Sequence, residues 1–296
     1  MKIVVLDAVS LSERQVNQLK SIGDATIFTD NPNFEDEIIN RAGNAEILIC
    51  GWTNISRKIM MKLPKLRMIS LWATGYDYID IEAAKELGIV VSNVPAYARN
   101  AVAELAVGLM LAVLRHIPEA DSDYRRSKSL QWERFQGMEL TGKTIGIIGT
   151  GAIGGKVARI AKGFDMNILA NDLHINEQLV EEVGVKYVEF NSLISESDII
   201  TLHIGLGPST VNLIDKYCFE RMKKSAILIN TARPGLVNQE HLSRALREGQ
   251  ILGAGLDELD TNSKSAEEII RLPNVVLTPH MGFNTIEAVK TKTDIC

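Results

Sequence analysis

The chain has 296 residues, enough for two domains of ordinary size with substantial cores. Its 32 basic and 37 acidic residues leave a net charge of −5 and a pI near 5.7, which gives no electrostatic case for nucleic acid or an anionic membrane surface. The 3 cysteines, Cys50, Cys218 and Cys296, are widely separated and include no C-x-x-C pair, so they read as incidental thiols in a reducing cytosol and no metal is expected.

The opening MKIVVLDAVS reaches Asp7 too soon for a secretory signal and reads as a first strand. Up to about residue 98, short apolar runs at 3–6, 25–28, 46–50, 67–71 and 89–92 alternate with helix-period stretches that open at Ser12, Asn33, Ser56 and Asp80. Such alternation implies a parallel sheet flanked by helices. The most apolar stretch, AVAELAVGLMLAVL at 101–114, falls short of the roughly 20 residues that span a bilayer. It reads as a buried helix within 100–116, where Glu104 needs a hydrogen-bond partner, and a cytoplasmic chain is expected. After Pro118 the chain turns polar, with Tyr124, Trp132 and Phe135 interleaved among charges. That segment reads as a solvated connection or as an arm packing on a second subunit.

Residues 143–172 are the most informative. The apolar run 144–148 leads into Gly149, Gly151 and Gly154, spaced G-x-G-x-x-G, then a helical pattern through Val157, Ile160 and Ala161, and a second run at 166–170 that delivers Asp172. A glycine triplet between strand and helix, followed by an acid at this distance, is the dinucleotide fingerprint. Gly149 permits the tight turn, Gly151 lets backbone approach a pyrophosphate, and Gly154 allows helix and sheet to touch. The helix start offers unpaired N–H groups and a positive dipole end. Asp172 would accept from the adenosine ribose hydroxyls and repel a 2′-phosphate, and Leu173 and His174 follow it in place of an arginine, so NAD is favoured over NADP. Further strands are expected at 198–203, 226–230, 251–256 and 275–277, with helices at 178–183, 218–222 and 239–248. In a doubly wound sheet the ligand lies at the carboxyl ends of the strands. Three of those ends carry Thr231, Ala232 and Arg233; Asp257; and Thr278, Pro279 and His280. An arginine can hold a carboxylate and polarise a carbonyl, and a histidine can move a proton near neutral pH.

The segments KTIGIIGTGAIGGKVA, AILINTARPGLVNQEHLSRAL, GAGLD, LPNVVLTPHMGFNT and SLWATGYDYIDIEAAKELGIVVSNVPAYARNAVAE resemble, in consistent order over about 45–288, the D-isomer-specific 2-hydroxyacid dehydrogenases. The resemblance implies two doubly wound parallel-sheet domains with a cleft between them: a flavodoxin-like substrate domain of residues 1–98 plus 281–296, and a Rossmann NAD-binding domain of residues 99–280. It further implies an NAD-dependent interconversion of a 2-oxo acid and a D-2-hydroxy acid. By motif, Arg233 is similar to the substrate-binding arginine and His280 to the acid/base histidine; backbone amides of Thr74 and Gly75 hold the substrate carboxylate. Ala152 and Ile153 lie at the pyrophosphate, Thr231, Ala232 and Arg233 line the nicotinamide side, and Asp257 binds the carboxamide. A homodimer built through the helix near residue 100 and the charged arm after it is implied as well.

Three departures from the family pattern qualify this. At the position where the family places a glutamate that pairs with the histidine stands Asn262, with Asp260 and Glu258 as alternatives; an amide orients the ring but supplies no charge, so reduction at alkaline pH should suffer first. Pro234 replaces a glycine commonly found after the arginine and disfavours helical geometry at Arg233. Residues 285–296 suffice to start the family's following helix and not to finish it. Asn262 and this short end motivate a second reading, an NAD(H)-sensing binding protein or corepressor-like protein with weak or no turnover. Trp52, Trp72, Tyr76 and Tyr97 are candidates to line the side-chain pocket.

Overall fold

A computed structural model describes residues 1–296 and divides into two compact units, residues 1–98 with 285–296, and residues 99–284. In the first unit five strands alternate with four helices: β1 (Lys2–Val5), α1 (Glu13–Ile22), β2 (Asp24–Ile27), α2 (Glu35–Ala42), β3 (Ile47–Cys50), α3 (Arg57–Met61), β4 (Met68–Leu71), α4 (Ile81–Glu86) and β5 (Val90–Ser92). All pairings are parallel, in the order β2-β1-β3-β4-β5. This is the flavodoxin-like order, whose direction of winding reverses between β1 and β3. Ser12, Ser56 and Asp80 cap α1, α3 and α4 as their position before helix-period patterns requires. The expected cap at Asn33 is displaced: Phe34 is the N-cap of α2, and Asn33 instead donates its backbone N–H to Glu37 Oε2 at 2.8 Å.

The second unit opens with α5 (Arg99–Leu114) and α6 (Ile117–Ser127), then runs β6 (Thr144–Ile148), α7 (Ala152–Gly163), β7 (Asn167–Asn171), α8 (Glu177–Val183), β8 (Lys186–Tyr187), α9 (Phe190–Glu196), β9 (Ile199–Leu202), α10 (Lys216–Arg221), β10 (Ile227–Asn230), α11 (Gln239–Arg247), β11 (Gly253–Leu256), α12 (Ala266–Arg271) and β12 (Val275–Leu277). Its seven parallel strands lie in the order β12-β11-β10-β9-β6-β7-β8, the doubly wound dinucleotide-binding order with one strand added. Strands β9, β10 and β11 are buried along their whole length, as expected of sheet covered on both faces. Glycines let α5 lie directly on β11: a Cβ at Gly255 would come within 2.9 Å of Leu109 Cβ, and one at Gly253 within 2.9 Å of Val113 Cγ1.

One expectation needs correction here, and several elements were not anticipated. The polar segment after Pro118 begins as the helix α6, which was not anticipated, with its proline in the first turn and Asp123 its one buried residue; so little burial leaves no apolar stripe in the sequence. Glu104 is exposed on α5 and needs no internal partner. The strand β8 and the helices α9 and α12, not anticipated, are short pieces of two to seven residues. The last helix, α13 (Ile286–Ile295), returns to the first unit, where Trp72 Nε1 donates to Thr293 Oγ1 at 2.9 Å. No single helix is long and apolar enough to cross a membrane.

Candidate active site

The turn after β6 explains each glycine by a separate contact. Gly149 has φ +90°, and a side chain there would lie 2.6 Å from the carbonyl oxygen of His203. A Cβ on Gly154 would stand 1.9 Å from the Gly149 backbone oxygen, so helix and turn touch only because residue 154 is glycine. Gly151 has nothing within 4 Å of its would-be Cβ, and no side chain caps the start of α7. The first-turn amides around Gly151, Ala152 and Ile153 thus face open space at a positive helix end, which fits a bound pyrophosphate.

Beside this turn, Asp172 Oδ2 accepts from the Thr150 amide at 2.6 Å and its hydroxyl at 3.0 Å, and Oδ1 accepts from the His174 amide at 3.2 Å. Partial burial pushes the Asp172 pKa up, but these hydrogen bonds from Thr150 and His174 outweigh it and leave the carboxyl below its ordinary value. It is held charged and aimed. Tyr187 extends the network, donating to Thr150 Oγ1 at 2.9 Å and accepting from the Asn176 amide at 3.0 Å. Sequence reading missed Thr150 and Tyr187, since the middle residue of a glycine turn and a tyrosine on a two-residue strand carry no motif.

At the carboxyl ends of β10, β11 and β12, one crevice is lined by Thr231, Arg233, Glu258 and His280. Buried Asn230 builds its first wall: its Oδ1 accepts from the Ala232 amide at 3.0 Å, and its Nδ2 donates to the Arg233 carbonyl at 2.8 Å. Arg233 is extended, at φ −141° and ψ 140°, because Pro234 follows it and opens a short 3-10 helix. The Thr231 hydroxyl is buried in this wall without a hydrogen-bond partner, a free polar group for a ligand to satisfy.

His280 adopts φ +53°, a conformation that non-glycine residues seldom take. Asp257 imposes it. The buried Asp257 carboxylate accepts from Thr278 Oγ1 at 2.6 Å, from the Met281 amide at 2.9 Å and from the Gly282 amide at 2.8 Å, while its carbonyl accepts from the His280 amide at 2.5 Å. Both Asp257 carboxylate oxygens are therefore engaged in shaping the histidine turn, a task that the sequence reading, which gave this residue to the nicotinamide carboxamide, did not assign. Glu258 Oε2 stands 3.0 Å from His280 Nδ1. The oxygen is shielded from water, and the contact fixes the ring by that nitrogen. Asn262 lies elsewhere, exposed in the following loop with its amide on Asp260 Oδ1 at 3.0 Å, and lines a different surface hollow. Of the alternatives, Glu258 is the one brought to the imidazole.

In the first unit, Thr74 is exposed and Gly75 half-buried in the turn after β4. Thr74 Oγ1 donates to the Val94 carbonyl at 2.7 Å and Asn93 Nδ2 donates to the Thr74 carbonyl at 2.7 Å, which fixes the turn while the Thr74 and Gly75 amides donate to no protein acceptor. Of the remaining histidines, His203 keeps some exposed surface as a residue, yet its ring is enclosed and bonded to Thr201 Oγ1 at 2.8 Å; burial lowers its pKa to about 3 and keeps it neutral.

Residues 107–282 match the family described as D-isomer specific 2-hydroxyacid dehydrogenase, NAD binding domain. The D-3-phosphoglycerate dehydrogenase of Methanocaldococcus jannaschii is 39% identical over 294 residues, covering 98% of this chain and 55% of that protein. The glyoxylate reductase of Thermococcus litoralis is 42% identical over 240 residues, 79% of this chain and 72% of that one. The chain thus spans about half the length of the first of these relatives. Among solved structures, an acyclic imino acid reductase in complex with NADPH and D-Arg superposes with a TM-score of 0.91 at 36% identity, covering 99% of this chain and 94% of that one. The D-lactate dehydrogenase of Aquifex aeolicus complexed with NAD and lactic acid gives 0.89 at 26%, over 100% and 92%. With an NAD-binding domain matched over more than half its length and a relative 42% identical, the chain belongs to the D-isomer specific 2-hydroxyacid dehydrogenase family.

Proposed function

We propose that the chain is an NAD-dependent oxidoreductase that interconverts a 2-oxo acid and a D-2-hydroxy acid. The observation that carries this reading is the convergence of Arg233, Glu258 and His280 on one crevice at the carboxyl ends of three adjacent strands. The first turn of α7, Thr150 and Asp172 would hold the dinucleotide, and the charged Asp172 carboxylate favours NAD over NADP by repelling a 2′-phosphate. When bound, the reduced nicotinamide supplies hydride to the carbonyl carbon. Arg233 draws electron density towards the carbonyl oxygen and orients the acid, and the free amides of Thr74 and Gly75 take its carboxylate. His280, held by Glu258 at Nδ1, presents Nε2 as the proton donor to that oxygen and recovers the proton in the reverse direction. Asp257 acts by shaping the histidine turn.

The test is NADH oxidation on a panel of 2-oxo acids. Arg233→Ala and His280→Ala are each expected to lower kcat/KM by about 10²–10⁴-fold, as loss of charge stabilisation or of a proton-transfer group does. Equal rates in wild type and both variants would remove the assignment. We further infer a cytoplasmic homodimer, in keeping with the exposed Ile117, Tyr124, Leu130 and Trp132 on and after α6. Sedimentation showing monomer alone, or fractionation of the protein with membranes, would oppose it.

A further inference from the structure

The first unit holds a lysine where physical chemistry argues against one. Lys292, on α13, is 1% exposed, yet its Nζ lies 3.3 Å from the ring centroid of Trp72, 5.0 Å from Tyr97 and 5.6 Å from Trp52. These are distances at which a ring face attracts a cation. Burial lowers the amine to about 7, with the Cys296 thiol acting weakly in the other direction, so enclosing it carries a cost that a methionine of similar length would avoid. A charge-bearing group kept at such a place calls for a use.

The cage is assembled from the ligand-binding edge of its sheet. Trp52 follows β3, Trp72 follows β4 and Tyr97 follows β5, so three successive strands each deliver one ring at their carboxyl ends. Each ring is held by its own device. Asp7, at the end of β1, accepts from the amides of Gly51, Trp52 and Thr53 and from the Thr53 hydroxyl, pinning the loop that carries Trp52. Trp72 is edge-on to Trp52 with centroids 6.3 Å apart, and Thr293 of α13 receives its indole N–H. Tyr97 follows Ala96, which adopts φ +57°. Trp52 is 42% exposed, Trp72 4% and Lys292 1%, so the lysine fills the cage from the helix side and only the outermost ring reaches solvent. Trp72 is two and three residues from Thr74 and Gly75, whose amides are assigned to the substrate carboxylate. The cage and the proposed carboxylate site therefore share one strand end, after β4.

We propose that Lys292 is a tethered cation that fills an aromatic cage otherwise open to the substrate side chain, and so confines the chain to 2-oxo acids with short side chains. Lys292 is on this view a specificity-determining residue. The inference rests on the proposed 2-oxo acid reduction only for the identity of the substrate; occupancy of the cage by a cation can be tested without turnover.

Lys292→Ala should leave a cage that takes up a free alkylammonium ion. Titration with ethylammonium chloride, against sodium chloride as control, is expected to change the tryptophan fluorescence of Lys292→Ala saturably and to raise its Tm, and to do neither in wild type or in Lys292→Met, whose side chain still fills the space. In the NADH assay, Lys292→Ala should raise the kcat/KM ratio of 4-methyl-2-oxopentanoate over glyoxylate at least tenfold, with ethylammonium reversing the gain, whereas Lys292→Met should keep a ratio near that of wild type. A folded Lys292→Ala that binds no ethylammonium, or that keeps the wild-type ratio, overturns the proposal. Should no form turn over any 2-oxo acid, the proposed function fails, and the ethylammonium titration alone then upholds or overturns the filled cage.

Discussion

At the scale of single residues, the pairing of His280 with Glu258 is the most consequential feature of the site. A carboxylate 3.0 Å from Nδ1 fixes the ring by that nitrogen, and so sets where the other nitrogen stands. Glu258→Gln keeps the shape and removes the charge that holds the ring, so the pH–rate profile for reduction should drop throughout, kcat/KM falling roughly 10–100-fold as it does when the partner orienting a functional histidine is lost. Asn262→Ala should leave the profile where it was, since the residue is exposed and its amide is committed to Asp260. Identical profiles for wild type and Glu258→Gln would show that the contact does not serve the chemistry. The sequence could offer Glu258 only as an alternative, because which acid reaches the ring is set by how the chain leaves β11, and spacing along the chain does not encode that direction. Lys292 was out of reach for a similar reason: a lysine on an amphipathic helix reads as solvated until the rings around it are seen.

At the scale of elements, the β6–turn–α7 unit shows how one motif combines two separable requirements. Gly154 is a packing glycine, with no room for a methyl group against the Gly149 carbonyl, while Gly151 faces open space. Gly154→Ala should therefore lower Tm by several degrees, a few kcal/mol of strain in a unit of this size, and abolish NADH binding as well. Gly151→Ala should leave Tm within about a degree and weaken NADH binding alone. Thermal melts paired with NADH fluorescence titration distinguish the two, and equal Tm losses would contradict the division of roles. This unit was readable in advance because strand, glycine spacing, helix and terminal acid are all local. Where local signals were thin the reading was poorer: α6 buries only Asp123 and so shows no apolar stripe, and the two-residue strand β8 is defined by its neighbour β7.

At the scale of the whole molecule, two parallel sheets present their functional groups on loops at the carboxyl ends of their strands, which is why the strand list read from the sequence led directly to Arg233, Asp257 and His280. What remained hidden was the support beneath those loops: Asn230 under Arg233, Asp257 under His280, and Asp7 under Trp52. Each is a buried polar residue whose partners are backbone amides or carbonyls brought together only by folding. In the proposed reaction hydride passes to the carbonyl carbon of a 2-oxo acid and the product has D stereochemistry. The most direct measurement is to supply NADH deuterated at C4 together with pyruvate, and to analyse the lactate by mass spectrometry and chiral chromatography. The expected result is D-lactate carrying deuterium at C2 when both C4 positions of the NADH are deuterated; unlabelled lactate, L-lactate, or no 2-hydroxy acid from pyruvate or any other 2-oxo acid in the panel would contradict it.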